Sequence, residues 1–138
     1  MLSQLVYVSN RKPMCTQEEI DKIVASCKKN NPALGITGVL LYSDSKFIQL
    51  VEGESNVITG LYDKIKKDPR HTNTMMVSYG PIKDKSFPSW HMGTRHLTKN
   101  EVEFKTDIST DDKAVFNKIL NGKDEDGQKV LNILKKFF

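Results

Sequence analysis

The chain has 138 residues, an apolar fraction of 38%, a charged fraction of 28% and a formal net charge of +4. That length suits one domain able to build a core without disulfide or metal staples. No apolar run nears the ~20 residues of a membrane helix, and MLSQLVYVSN has no charged segment leading into a long apolar one, so a cytoplasmic protein without membrane span or secretory signal is expected.

The basic surplus lies in residues 1–97, since residues 98–138 hold eight Lys+Arg and eight Asp+Glu. Lys64, Lys66 and Lys67 read as a solvated helix face. No basic stripe interleaves with aromatics, so nucleic acid is not an expected partner. Cys15 and Cys27 match no zinc spacing and read as reduced thiols, with Cys27 in the core.

Leu2–Val8 predicts a first strand with Leu5 and Tyr7 on one face and Val6 and Val8 on the other. Apolar groups on both sides imply a central strand covered twice. Thr16-Gln17-Glu18-Glu19 is a capping box, and Ile20, Ile23, Val24 and Cys27 follow at i, i+3, i+4 and i+7 of one helix. Pro32 is expected to end that helix, with Asn30 and Asn31 in or just beyond its last turn.

The stretch Gly35–Gly53, GITGVLLYSDSKFIQLVEG, reads as a hairpin with a polar break at Ser43-Asp44-Ser45. Alternation puts Phe47, Gln49 and Val51 on one face, and Ile48 and Leu50 on the other. Gln49 is then a carboxamide among buried hydrophobes, and leaving it unpaired costs roughly 1–3 kcal/mol. Its partner is either a neighbouring strand or water, as for any core glutamine, or a bound polar ligand.

Glu54-Ser55 caps a second helix with Ile58, Leu61, Tyr62 and Ile65 buried, and Asp68-Pro69 stops it. Thr74–Tyr79 predicts a fourth strand, and Phe87–His96 carries a fifth on which Trp90 and Met92 share a face. The order β-α-β-β-α-β-β predicts an α+β, ferredoxin-like sandwich with a five-stranded mixed sheet. Two helices would cover the face bearing Tyr7 and Gln49. The opposite face, with Val6, Val8, Ile48 and Leu50, needs another cover.

A C-terminal helical extension over residues 98–138 is the expected cover for the domain at 1–97. Asp111–Asn121 aligns Val115, Phe116, Ile119 and Leu120, with Gly122 as a stop, and Gln128–Phe138 aligns Val130, Leu131, Leu134 and Phe138.

Tyr7, Gln49, Asn31, Trp90 and Met92 would converge under the two helices as polar groups in an apolar wall. Singly they read as core aromatics, a gap-filling thioether and a helix C-cap. None forms a nucleophile–base pair, carboxylate dyad or metal cluster, and the lone His71 and His96 have no ligand spacing. An enzyme is therefore not expected, nor a metal.

Six segments in register resemble the BLUF domain, a blue-light sensor that uses flavin. They are LVYVS at 5–9, NN at 30–31, GITGVLLY at 35–42, FIQLVEG at 47–53, LYDKIKKDPRH at 61–71 and FPSWHMG at 87–93. The resemblance implies a non-covalent flavin (FAD, with FMN or riboflavin also accommodated) between the helices. It makes Tyr7 the light-driven electron and proton donor and Gln49 the amide between phenol and ring. Asn31, with Asn30 beside it, would hold the ring's polar edge, Arg70 and His71 its ribityl and phosphate end. Trp90 and Met92 would relay the change. Cys27 stands where related sequences often carry a small hydroxyl residue, and His91 where a small residue is common.

No effector domain follows residue 97, so a free-standing sensor is expected, acting on another protein or through its own homo-oligomer. A flavin-free, ferredoxin-like interaction module is the alternative, and it would purify colourless.

Overall fold

The computed structural model describes residues 1–97, 110–122 and 126–138. β1 (Leu2–Arg11) is buried along most of its length because both its faces are apolar. It runs three residues past the expected end, as Asn10 and Arg11 still pair with Thr72 and His71. α1 (Gln17–Leu34) starts at Thr16, whose hydroxyl accepts the Glu19 N–H at 3.4 Å. β2 (Thr37–Tyr42) and β3 (Lys46–Glu54) form the hairpin. α2 (Ser55–Lys66), β4 (His71–Pro81) and β5 (Gly93–His96) follow, then α3 (Thr110–Leu120) and α4 (Gly127–Lys135).

The strand order is β4-β1-β3-β2-β5, with β5 parallel to β2 and every other pair antiparallel. This is the expected ferredoxin-like mixed sheet. Register sets Tyr7 opposite Gln49, and Gln49 opposite Leu40, in one cross-strand row. The neighbouring row, Val6, Leu50 and Val39, faces the other way.

Two cores result. One, under α1 and α2, gathers Leu5, Tyr7, Ile20, Leu40, Phe47, Val51, Ile58 and Met92. In the other, Val6, Val8, Ile48 and Leu50 pack with Phe116 and Ile119 of α3, Val130 and Leu134 of α4, and Phe137. The start of the extension expected at residue 98 lies outside the described residues. No helix among the described residues is long and apolar enough to cross a membrane.

Two expected boundaries are corrected. Pro32 does not end α1, because in the last turn its missing N–H costs a single bond. The stop is Gly35 (φ 67°), whose N–H reaches the Pro32 carbonyl while the Ile36 N–H reaches that of Asn31, a Schellman closure. The fifth strand begins only at Gly93. Residues 82–92 form a turning crossover instead, since Pro88 has no N–H and those of Ser86 and Phe87 go to a side chain.

Gly38 (φ 153°) lies so near β3 that a Cβ there would fall 1.9 Å from the Leu50 carbonyl oxygen. Its N–H also donates to the Trp90 carbonyl at 2.9 Å. Gly38→Ala is therefore expected to cost about 1–3 kcal/mol or more through forced strand displacement. Thermal melting measures it, and an unchanged midpoint would mean that the hairpin relaxes freely.

Candidate functional site

The row Leu40, Gln49 and Tyr7 forms part of the wall of a cavity of about 210 Å³ that also touches α1, α2 and the turn after α2. Ile23, Cys27 and Ile65 add apolar surface, while Asp68, Arg70 and His71 add polar groups. Apolar walls with a few convergent polar groups suit a small, mainly apolar organic ligand with a polar end.

The Tyr7 hydroxyl donates to Gln49 Oε1 at 2.6 Å, with both residues buried. That bond fixes the carboxamide's orientation and leaves its nitrogen facing Met92, whose Sδ accepts from Nε2 at 3.4 Å. A thioether is a weak acceptor and Nε2 carries two hydrogens, so Gln49 retains donor capacity beyond that contact. An acceptor-edged ring in the cavity fits this chemistry.

Burial drives the Tyr7 phenol far above its ordinary pKa, with smaller contributions from Cys27, Asp68 and Tyr62. The phenol thus stays protonated, and its proton leaves most readily together with an electron. Tyr62 lies 5.7 Å away, centroid to centroid, and His71 6.2 Å. Burial also raises the Cys27 thiol, against the opposing pull of Arg70 and a hydrogen bond with Asn31.

His71 lines the cavity with both ring nitrogens committed. Nε2 must donate to the Ile65 carbonyl, which can only accept, and Nδ1 pairs with the Ser9 hydroxyl at 2.6 Å. Arg70 grips Asp68 through Nη2 at 2.6 Å and Nε at 3.0 Å, and reaches Glu19 at 3.7 Å. The bonded guanidinium holds Asp68 below the usual carboxylate range.

Asn31 is buried, but its Nδ2 donates to the His91 carbonyl at 2.7 Å, tying α1 to the crossover. Asn30 is exposed and bonds Ser26 Oγ at 3.2 Å, because consecutive helical residues point about 100° apart. Trp90 and Met92 do not share a face. Met92 is buried beside Gln49, while Trp90 is 39% exposed and packs on Phe87 and Phe138 at 5.4 and 5.6 Å. Strand alternation does not apply to them, since they precede β5 within a turn closed by the Trp90 N–H and Phe87 carbonyl.

The structure thus brings together Tyr7, Gln49, Met92, Arg70 and His71, sets Asn31 alongside, and leaves Asn30 and Trp90 outside. Sequence reasoning missed Asp68, Ser9 and Glu52. Glu52 had a signal, an acidic group on the face shared with Ile48 and Leu50. Among the described residues no group of three or more His, Cys, Asp or Glu could hold a metal ion.

A family model described as BLUF, sensors of blue light using FAD, matches residues 2–93. Over 88 residues the chain is 34% identical to the photoactivated adenylate cyclase subunit beta of Euglena longa, a match covering 64% of this chain and 10% of that protein. The chain therefore spans about a tenth of the length of the photoactivated cyclases it matches. It is similar over 99% of its length to 94% of BlsA in the photo-activated state, at 29% identity and a TM-score of 0.81. Against BlrB, a BLUF protein in its dark state, identity is 28% and the TM-score 0.71, over 83% of this chain and 89% of that one.

Proposed function

Because this chain belongs to the BLUF family, we propose that it is a blue-light photoreceptor holding a non-covalent flavin in the cavity beneath α1 and α2. The observation that carries this reading is the buried Tyr7–Gln49 hydrogen bond of 2.6 Å in the cavity wall. A bound flavin supplies a blue-absorbing ring that becomes a strong one-electron oxidant on excitation.

Tyr7 would be the electron and proton donor to that ring's chemistry, with Gln49 Oε1, at 2.6 Å from the phenol, placed to take the proton first. Burial supports this role, because it keeps the phenol protonated until light acts. A carboxamide has a donor end and an acceptor end, so Gln49 can pass the proton on and settle in a new hydrogen-bond arrangement. The weak contact to Met92 Sδ is the bond it exchanges most cheaply. Local exchange then biases a two-state element, which is how such an event becomes a signal.

Arg70 offers its charge to the polar end of the ligand, the His71 ring lines that end by contact with its nitrogens held by Ser9 and Ile65, and Asn31 acts beside them by fixing the crossover that carries Met92. FAD is the form the family description favours, and extraction followed by chromatography separates it from FMN and riboflavin. The role of these residues is sensing, and the change is passed to another protein or through the chain's own assembly.

The expected result is a yellow protein whose absorption shifts reversibly to the red under blue light. Equilibrium dialysis against excess flavin tests it directly. A folded protein that binds none would leave a flavin-free interaction module in its place.

A further inference from the structure

Residues 82–92 connect the two edges of the sheet, leaving β4 beside Leu2, where the Ile82 N–H meets the Leu2 carbonyl at 3.0 Å, and arriving at β5. Along the way the segment changes sides. Phe87 belongs to the core beneath α3 and α4, and Met92 to the core beneath α1 and α2. Just before it passes, one buried side chain grips it.

That side chain is Glu52, fully buried in β3 three residues beyond Gln49. Its Oε1 accepts the Ser86 N–H at 2.6 Å, and its Oε2 accepts the Phe87 N–H at 3.1 Å and the Thr37 hydroxyl at 3.0 Å. The described residues place no cation on it. Burying a carboxylate is costly unless its hydrogen bonds are supplied, and charge-assisted bonds to peptide N–H groups are among the stronger ones available. Such a group is hard to account for by packing alone, since a leucine would fill the same face without that cost.

The geometry points to Glu52 as a positioning residue that sets the crossover's place and thereby seats Met92 against Gln49 and Trp90 against Phe138. Downstream of the clamp only a few residues separate Phe87 from Met92. Their carbonyls are held in turn by Gly38 N–H at Trp90 and Asn31 Nδ2 at His91. Releasing Ser86 and Phe87 loosens both aromatic packing on one side and the sulfur contact on the other. The clamp acts through other residues and touches neither Tyr7 nor the cavity.

One readout of the test rests on the photoreceptor reading and one does not. Glu52→Gln keeps the shape but turns an NH2 group toward a peptide N–H, breaking one arm of the clamp. Thr37→Val removes the third donor and leaves both arms. Trp90 is the sole tryptophan, so its emission reports the crossover in the dark. With Glu52→Gln, acrylamide quenching of Trp90 is expected to rise, and the red-shifted state to decay faster by between about twofold and thirtyfold. Thr37→Val, although it also strips a bond from the buried carboxylate, should move neither.

Unchanged quenching and decay in folded Glu52→Gln would overturn the inference, as would equal changes in Thr37→Val. If the wild type shows no red shift, the photoreceptor reading fails while the quenching comparison still judges the clamp. Should Glu52→Gln not fold, amide exchange on the wild type decides. Ser86 and Phe87 amides must exchange well below Lys85 and Ser89, and equal rates would overturn the assignment.

Discussion

Replacing Tyr7 with phenylalanine is expected to leave flavin bound and to abolish the reversible red shift. The ring still packs against Tyr62 and His71, so the cavity wall keeps its shape. What disappears is the hydroxyl that donates to Gln49 Oε1. No other group in that wall offers an electron and a proton together at that oxygen, so the loss should be complete. Difference spectra before and after blue light measure it, and a full shift in the variant would return Tyr7 to the role of a core aromatic. A pH series gives a second check. An exposed phenol ionises near pH 10, but the folded-state value of Tyr7 is raised, so its protonated form persists as pH climbs past that point. The wild-type shift should therefore hold at alkaline pH until the protein unfolds. Loss centred near pH 10 without unfolding would contradict the buried, protonated phenol.

Ending the chain after Thr98 should make it aggregate. α3 and α4 would be gone, and the sheet face bearing Val6, Val8, Val39, Leu41, Ile48 and Leu50 would meet water. An apolar patch of that extent invites association. The removed side chains include Phe116, Ile119, Val130, Leu134 and Phe137, each worth about 1.5–3 kcal/mol when buried. A typical domain has only about 5–15 kcal/mol in total. Phe137→Ala is the graded version, expected to cost about 3–5 kcal/mol as a cavity in a packed core. Chemical denaturation reads the graded loss and sedimentation the gross one. A shortened protein that stays monodisperse with the same melting midpoint would show that the extension is not the cover.

The central pair was legible because two rules reinforce each other. Alternation assigns Tyr7 and Gln49 to one face of their strands, and the split β-α-β order makes those strands neighbours. Register then follows from the hydrophobic pattern, and the two residues meet. The same rule failed at Trp90 and Met92, where period two was applied to a segment that is not a strand. Two of its peptide N–H groups, those of Ser86 and Phe87, are claimed by Glu52, a long-range partner that no local window contains. Asn30 is exposed on α1 and turns back to Ser26, a local bond that the doublet itself does not reveal. Pro32 misled in the other direction, because a single missing N–H in a last turn matters less than the Gly35 closure after it.

β4 is an edge strand of eleven residues with Met75, Met76 and Tyr79 exposed along it, which would ordinarily be a template for another copy's backbone. Its pairing with β1, however, slips twice, between Val6 and Tyr7 and again between Val8 and Asn10. Each slip twists the strand and interrupts the even row of outward N–H and C=O groups that fibre growth copies. The irregularity beside Tyr7 is thus expected to hinder edge-to-edge pairing in concentrated protein, and straightening β4 would trade that colloidal safety for a few more ladder bonds.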